Sequence, residues 1–152
     1  MLKQRKDNNS AFIALALSFP SESYLSEFMD VIDVEVIYKV RSFLKKILAK
    51  NLYSYFEKTY LKLESFEEFK IDPISMGKRS LKNLCLEYMS EIETTEVRQI
   101  ALKQFRKNNN MTDVVGALKA LTHSDCIERE TTFREFEMMW KKNSLVMDKW
   151  FS

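Results

Sequence analysis

Between Lys103 and Leu121 the chain runs K-Q-F-R-K-N-N-N-M-T-D-V-V-G-A-L-K-A-L, two amphipathic segments separated by three asparagines. The first segment is the end of a helix that begins after Thr94, with Val97, Ile100, Ala101 and Phe105 at inward spacing. Asparagine tolerates the left-handed conformation at helix ends, so Asn108-Asn109-Asn110 predicts a stop. Asn110-Met111-Thr112-Asp113 then has the spacing of a capping box. The Asn110 side chain caps a second helix, and Asp113 is placed to return a bond to the Asn110 backbone. That helix buries Val114, Val115, Leu118 and Leu121, and Gly116 on it suggests close packing. As caps alone, Asn110 and Asp113 would each cost about 0.5–2 kcal/mol on replacement by Ala.

The pattern of helix, short capped turn and helix recurs outward from this point. With 152 residues the chain is one domain or one contiguous piece of a larger one. Its 45% hydrophobic content and 11 Phe suffice for a core. Two Gly and two Pro supply too little turn chemistry for a many-stranded β protein, so an all-α fold is expected. Net charge is +2, from 24 basic and 22 acidic residues, which gives no general electrostatic attraction to nucleic acid or anionic lipid. Cys85 and Cys126 form no C-x-x-C, which fits a reducing, cytoplasmic setting. No apolar run approaches the roughly 18 residues of a membrane span. The apolar run Ala11–Phe19 follows a basic N-terminus but ends at Pro20 without a small-residue cleavage site, so it reads as a packed helix.

Asn9-Ser10 can cap that first helix, which ends at Leu17. Ser21 with Glu22 opens a short helix to about Met29. Asp33 caps the longest helix, to about Tyr60. On it Val36, Ile37, Val40, Phe43, Leu44, Ile47, Leu48 and Tyr55 form a stripe wide enough to bury against two neighbours. Lys39, Lys46 and Lys50 flank it, as a basic strip or as stems covering the core edge. Leu63–Lys70 is a connection. Asp72-Pro73 starts a helix to about Met89, because proline loses nothing at a first helical position. Its buried stripe is Gly77, Leu81, Leu84, Cys85 and Tyr88, and Gly77 suggests close approach of another backbone. Asp125-Cys126-Ile127-Glu128 is a second capping box. Phe133, Phe136, Met139 and Trp140 face inward on the helix that follows. Ser144 caps a last segment carrying Leu145, Val146, Trp150 and Phe151. Two aromatics at a bare end imply that the natural polypeptide continues.

Catalytic patterns are missing. The single histidine, His123, has no partner at the spacing of H-E-x-x-H. No G-x-G-x-x-G, P-loop or G-x-S-x-G occurs. Cys85 lies on an apolar stripe with no basic neighbour and reads as a small buried hydrophobe. Glu67-Glu68 lies on a polar stretch. The three amides could read bases, but Val114–Leu121 supplies only Lys119 as a cation. No residue of the chain is therefore expected to be catalytic, cofactor-binding or metal-ligating.

Several segments together resemble the C-terminal helical domain of bacterial-type aminopeptidase N, the zinc metalloaminopeptidases of peptidase family M-one. They are D-V-I-D-V-E-V-I-Y-K-V-R (Asp30–Arg41), K-R-S-L-K-N-L-C-L (Lys78–Leu86), K-Q-F-R-K-N-N-N-M-T-D (Lys103–Asp113), A-L-K-A-L (Ala117–Leu121) and W-K-K-N-S-L-V-M-D-K-W-F (Trp140–Phe151). Their order and spacing run from about Ala11 to the last residue. Val34 departs from the family, which usually has Pro after the capping Asp. The resemblance implies antiparallel helix pairs stacked as an armadillo/HEAT-like open superhelix. Residues 1–152 would be the first part of that domain, truncated at the C-terminus. It implies a non-catalytic role: walling a chamber that admits peptides and supporting the catalytic domain of the same polypeptide, which would carry the zinc. No nucleic-acid or membrane partner is implied. The readings outside this family are a stand-alone helical-repeat interaction module and, behind it, a helix-turn-helix nucleic-acid binder.

Overall fold

A computed structural model describes residues 9–64, 68–107, 109–122 and 125–150. Eight helices are formed by the described residues: α1 Asn9–Leu17, α2 Glu22–Ser26, α3 Val34–Leu63, α4 Pro73–Ser90, α5 Thr95–Lys107, α6 Met111–Thr122, α7 Ile127–Trp140 and α8 Ser144–Trp150. The expectations on Asn108, Glu67, His123 and Phe151 lie outside the described residues, as does the side chain of Trp150.

Local cap chemistry sets most of the starts. Asp33 accepts the Val36 N–H at 3.0 Å, Ser21 that of Tyr24 at 3.1 Å and Thr94 that of Val97 at 3.3 Å. Val34 in place of proline leaves the Asp33 cap intact. Asp72 accepts the Ser75 N–H at 2.9 Å and its hydroxyl at 2.6 Å, with Pro73 in the first turn. Three expected caps differ: Asn9 and Ser10, expected to cap α1, are themselves helical. The N-cap of α7 is Cys126, which makes no side-chain cap bond, because a thiol is a weak acceptor. Asp125, one residue too early, projects into solvent and pairs with Arg129 at 4.0 Å. For α8 the capping oxygen belongs to Asn143, which accepts the Val146 N–H at 3.4 Å, while Ser144 is already helical. Likewise α2 stops at Ser26, short of Met29.

Helix α4 is the axle of the fold, touching α1, α3, α5 and α6. Its expected stripe packs as read: Gly77, Leu81, Cys85 and Tyr88 are buried and Leu84 is half-buried. Gly77 admits α1 at close range, since a Cβ there would lie 3.0 Å from the Ala11 backbone nitrogen. The Tyr88 ring stacks on Phe56 at 4.7 Å, and its hydroxyl donates to the Leu17 carbonyl at 2.6 Å. Burial, then the nearby Glu87 and Glu91, push that phenol up to about 12. A second cluster joins α5, α6 and α7 through Phe105, Val114, Ala117, Leu118 and Phe136. From α2 onward consecutive helices pack against each other, and α1 packs on α4, so the pairs share neighbours as in helical repeats.

The α3 stripe is the main correction. Ile37 is buried, but Val36, Val40, Phe43, Leu44, Ile47 and Tyr55 are exposed, Phe43 at 63%. The side that packs carries Ala49, Leu52, Phe56 and Tyr60. Val36, Val40, Phe43, Leu44 and Ile47 span an arc of about 100° turned away from it. Periodicity shows that a face is apolar; it does not show that the covering partner is among these residues. Phe12, Leu15, Phe28, Val31 and Ile32 on and around α1 and α2 are exposed as well. On α7, Met139 is also exposed, whereas Phe136 is fully buried.

One half-buried carboxylate ties three helices. Glu87 on α4 pairs with Lys45 of α3 and, at 3.1 Å, with Lys119 of α6. Burial alone would raise its carboxyl, but the hydrogen bond from Lys45 and the charges of both lysines outweigh it and hold it below the ordinary glutamate value. Protons therefore bind the unfolded state more readily. The stabilisation is complete above the ordinary glutamate range and is lost as pH falls through the lower, folded value. Urea midpoints of wild type and Glu87→Gln should differ at pH 7 and converge on acidification towards pH 3. A pH-independent difference would contradict the assignment.

Candidate functional site

The amide turn predicted between α5 and α6 is the edge of a buried polar hub. Asn110 caps α6 as expected, its Oδ1 accepting the Asp113 N–H at 2.9 Å. The return bond differs from expectation. Asp113 accepts from the Asn110 side-chain amide at 2.9 Å instead of the backbone, and its carboxylate also takes Lys82 Nζ at 2.6 Å and Asn83 Nδ2 at 3.1 Å. Gln104 donates to Asn83 Oδ1 at 2.7 Å and to the Asp113 carbonyl at 2.8 Å, and accepts from the Tyr60 hydroxyl at 3.0 Å. Four helices, α3 to α6, thus meet through one set of hydrogen-bonded polar groups. Burial first, with Glu64 and Asp113 nearby, raises the Tyr60 phenol, so it stays a donor.

Gly116 serves this hub. A Cβ on it would lie 2.6 Å from the Asn83 side-chain carbon and oxygen, inside van der Waals contact. Asn83 is held by its bonds to Gln104, Asp113 and Thr112, so moving aside would break them. Ala is ordinarily better than Gly inside a helix by about 1 kcal/mol. Here Gly116→Ala should reverse that sign and destabilise by about 1–3 kcal/mol, the usual range for overpacking. Denaturant titration checks it, and an unchanged or higher midpoint would show that Asn83 yields.

Beside the hub lies an open cleft of about 610 Å³, at the C-terminal end of α3, the first turns of α4 and the α5–α6 turn. Lys62, Lys70, Lys78 and Arg79 line it, and the Lys82–Asp113 pair belongs to its wall. The hub residues Tyr60, Lys82, Asn83 and Gln104 carried no signal in the sequence beyond lying beside apolar positions. Their partners are remote in the chain.

The other candidates resolve simply. Cys85 is buried and burial pushes its thiol up to about 12, so it behaves as a small apolar side chain. Lys39, Lys46 and Lys50 are solvent-exposed, with Lys39 bonded to Glu35 at 3.1 Å. Among the described residues no three His, Cys, Asp or Glu converge as metal ligands, and no helix is long and apolar enough to cross a membrane.

An all-helical chain of stacked helix pairs organised by buried hubs is a helical-repeat protein, and comparison with known proteins specifies which. Residues 1–152 match the family described as "Domain of unknown function (DUF3458_C) ARM repeats", and the chain belongs to that family. It is 34% identical over 141 residues to aminopeptidase N of Escherichia coli strain K12, covering 93% of this chain and 16% of that protein. It is 30% identical over 142 residues to aminopeptidase N of Caulobacter vibrioides, again 93% and 16%. Aminopeptidase N of Haemophilus influenzae is 30% identical over 138 residues, 91% of this chain and 16% of that protein. The chain thus spans about one sixth of the relatives it matches. The resemblance to the C-terminal helical domain of aminopeptidase N and the armadillo-like fold stand as read.

Proposed function

We propose that this chain is a non-catalytic helical domain of a zinc-dependent, cytoplasmic aminopeptidase that removes N-terminal residues from peptides. It walls the substrate chamber and supports the catalytic domain of the same polypeptide. The observation that carries the reading is the end-to-end family match, with relatives named aminopeptidase N about six times the length of this chain. Its apolar surface supports it. The exposed faces of α1 to α3 are those of a domain that packs on another, and the remaining five sixths of such a polypeptide is the occupant proposed for them. The metal and the chemistry are assigned to that remainder, in keeping with relatives named aminopeptidase N of which this chain covers 16%. A nucleic-acid role is disfavoured because Lys119, the one cation in Val114–Leu121, is paired with Glu87.

The test uses the full polypeptide that carries this chain. It should release N-terminal residues from short peptides when zinc is present. Val40→Asp with Phe43→Asp, both at exposed positions, should lower that activity at least about tenfold and split thermal unfolding into two transitions. Absence of zinc-dependent release by the unmodified polypeptide would overturn the enzyme reading. Activity and melting unchanged by the two substitutions would overturn the docking of this face.

A further inference from the structure

The cleft beside the hub carries an excess of positive charge among the described residues. Lys62, Lys70, Lys78 and Arg79 line it, and none of the four has an ion-pair partner among the described residues. Of the lining carboxylates, Asp113 is held by Lys82 and Glu64 pairs with Lys103 at 3.2 Å, which leaves Glu68.

Two of the cations are organised. The Arg79 guanidinium stacks over the Phe69 ring at 4.6 Å and donates to the Lys70 carbonyl at 2.9 Å, so its position is fixed, and no carboxylate among the described residues pairs with it. In the wall, the Lys82 side chain is only 9% exposed, and one hydrogen bond is formed, to Asp113 at 2.6 Å. An ammonium group has three donors. The N-terminal ends of α4 and α6 border the cleft through Ser75 and Asn110 and the C-terminal end of α3 borders it through Lys62 and Leu63, so helix dipoles of both signs meet there and the side-chain charges set its sign.

We infer that this cleft binds an oxyanion, the carboxylate or phosphate group of a small ligand, with Arg79 and Lys78 as its principal contacts and the Lys82–Asp113 pair as a rigid wall. Arginine fits either group through two parallel N–H bonds, and Lys78 adds a second charge to the cleft lining.

The full polypeptide is titrated with inorganic phosphate by calorimetry, at ionic strength held constant with sodium chloride. Saturable binding is expected. Lys78→Gln with Arg79→Gln should weaken it about tenfold or more, the loss expected for charge-assisted contacts. Lys46→Gln with Lys50→Gln, which removes the same charge from an exposed part of α3, should change it less than about twofold. Lys78→Glu alone must also weaken binding, so a folding defect in the double variant cannot rescue or sink the result. A peptide ending in glutamate is then added as competitor. Displacement of phosphate assigns the site to carboxylates, and failure to displace assigns it to phosphate esters; either supports the site. No saturable binding of either probe, or equal loss in the α3 control, overturns it. The outcome is independent of peptidase activity.

Discussion

Asp113→Ala should destabilise the protein by about 3–5 kcal/mol, well beyond the loss of a cap. A cap alone is worth about 0.5–2 kcal/mol. Asp113 does more than cap. It is 8% exposed in its side chain, and the Lys82 ammonium opposite is 9% exposed. Removing the carboxylate leaves a buried charge without its counter-ion and strips acceptors from Asn83 and Asn110. The companion variant is Lys82→Met. Alone it leaves a buried carboxylate and should also destabilise. Combined with Asp113→Leu it removes both charges, and the double variant should be more stable than Asp113→Ala, because replacing a whole buried pair is far cheaper than breaking one. Urea titration of the three variants decides it. A cost of Asp113→Ala confined to the capping range would show that water reaches Lys82 and solvates it.

Phe136→Ala should cost about 3–5 kcal/mol, and the damage should be local. Phe136 is 0% exposed and is the large apolar side chain that α7 buries completely. It joins Phe105 of α5 and Val114, Ala117 and Leu118 of α6. The remaining buried position on α7 is Thr132, whose hydroxyl is turned back to the Glu128 carbonyl and adds little to the contact. The core around α4 is a separate cluster. In a stacked-helix protein each pair is held mainly by its neighbours, so losing one interface need not unfold the rest. Hydrogen exchange should therefore show α7 and α8 losing protection while α3 and α4 keep theirs. Uniform loss along the chain would indicate that the two clusters fold as one cooperative unit.

Much of the fold was legible along the chain. Asp33, Asp72, Thr94 and Asn110 each cap within three residues of themselves, so the chemistry is local and the residue type suffices. The α4 stripe was legible because a helix surrounded by neighbours buries whatever its period aligns. Where the local rule was ambiguous, at Asp125-Cys126 and Asn143-Ser144, two adjacent residues competed and the structure chose the other one. The family segments were legible too, because the order of several short matches is specific even when each is weak.

The candidate site was legible only at its edge. Asn110 and Asp113 announce a turn, but Lys82 reaches Asp113 across 31 positions and Tyr60 reaches Gln104 across 44. No pattern within a helix signals such a meeting. Arg79 and Phe69 stand in different segments, and only folding lays one over the other.

By itself, then, the sequence determined an all-helical chain, the starts of most helices and the α4 core face, because propensity, capping and periodicity act over a few residues; the family was legible separately, from the resemblance of several ordered segments. Tertiary structure alone decided which apolar face of α3 is covered, that Gly116 exists to seat Asn83, and that an amide turn is the rim of a four-helix polar hub. Those outcomes depend on which surfaces meet, and chain-remote contacts are set by the packing of whole helices.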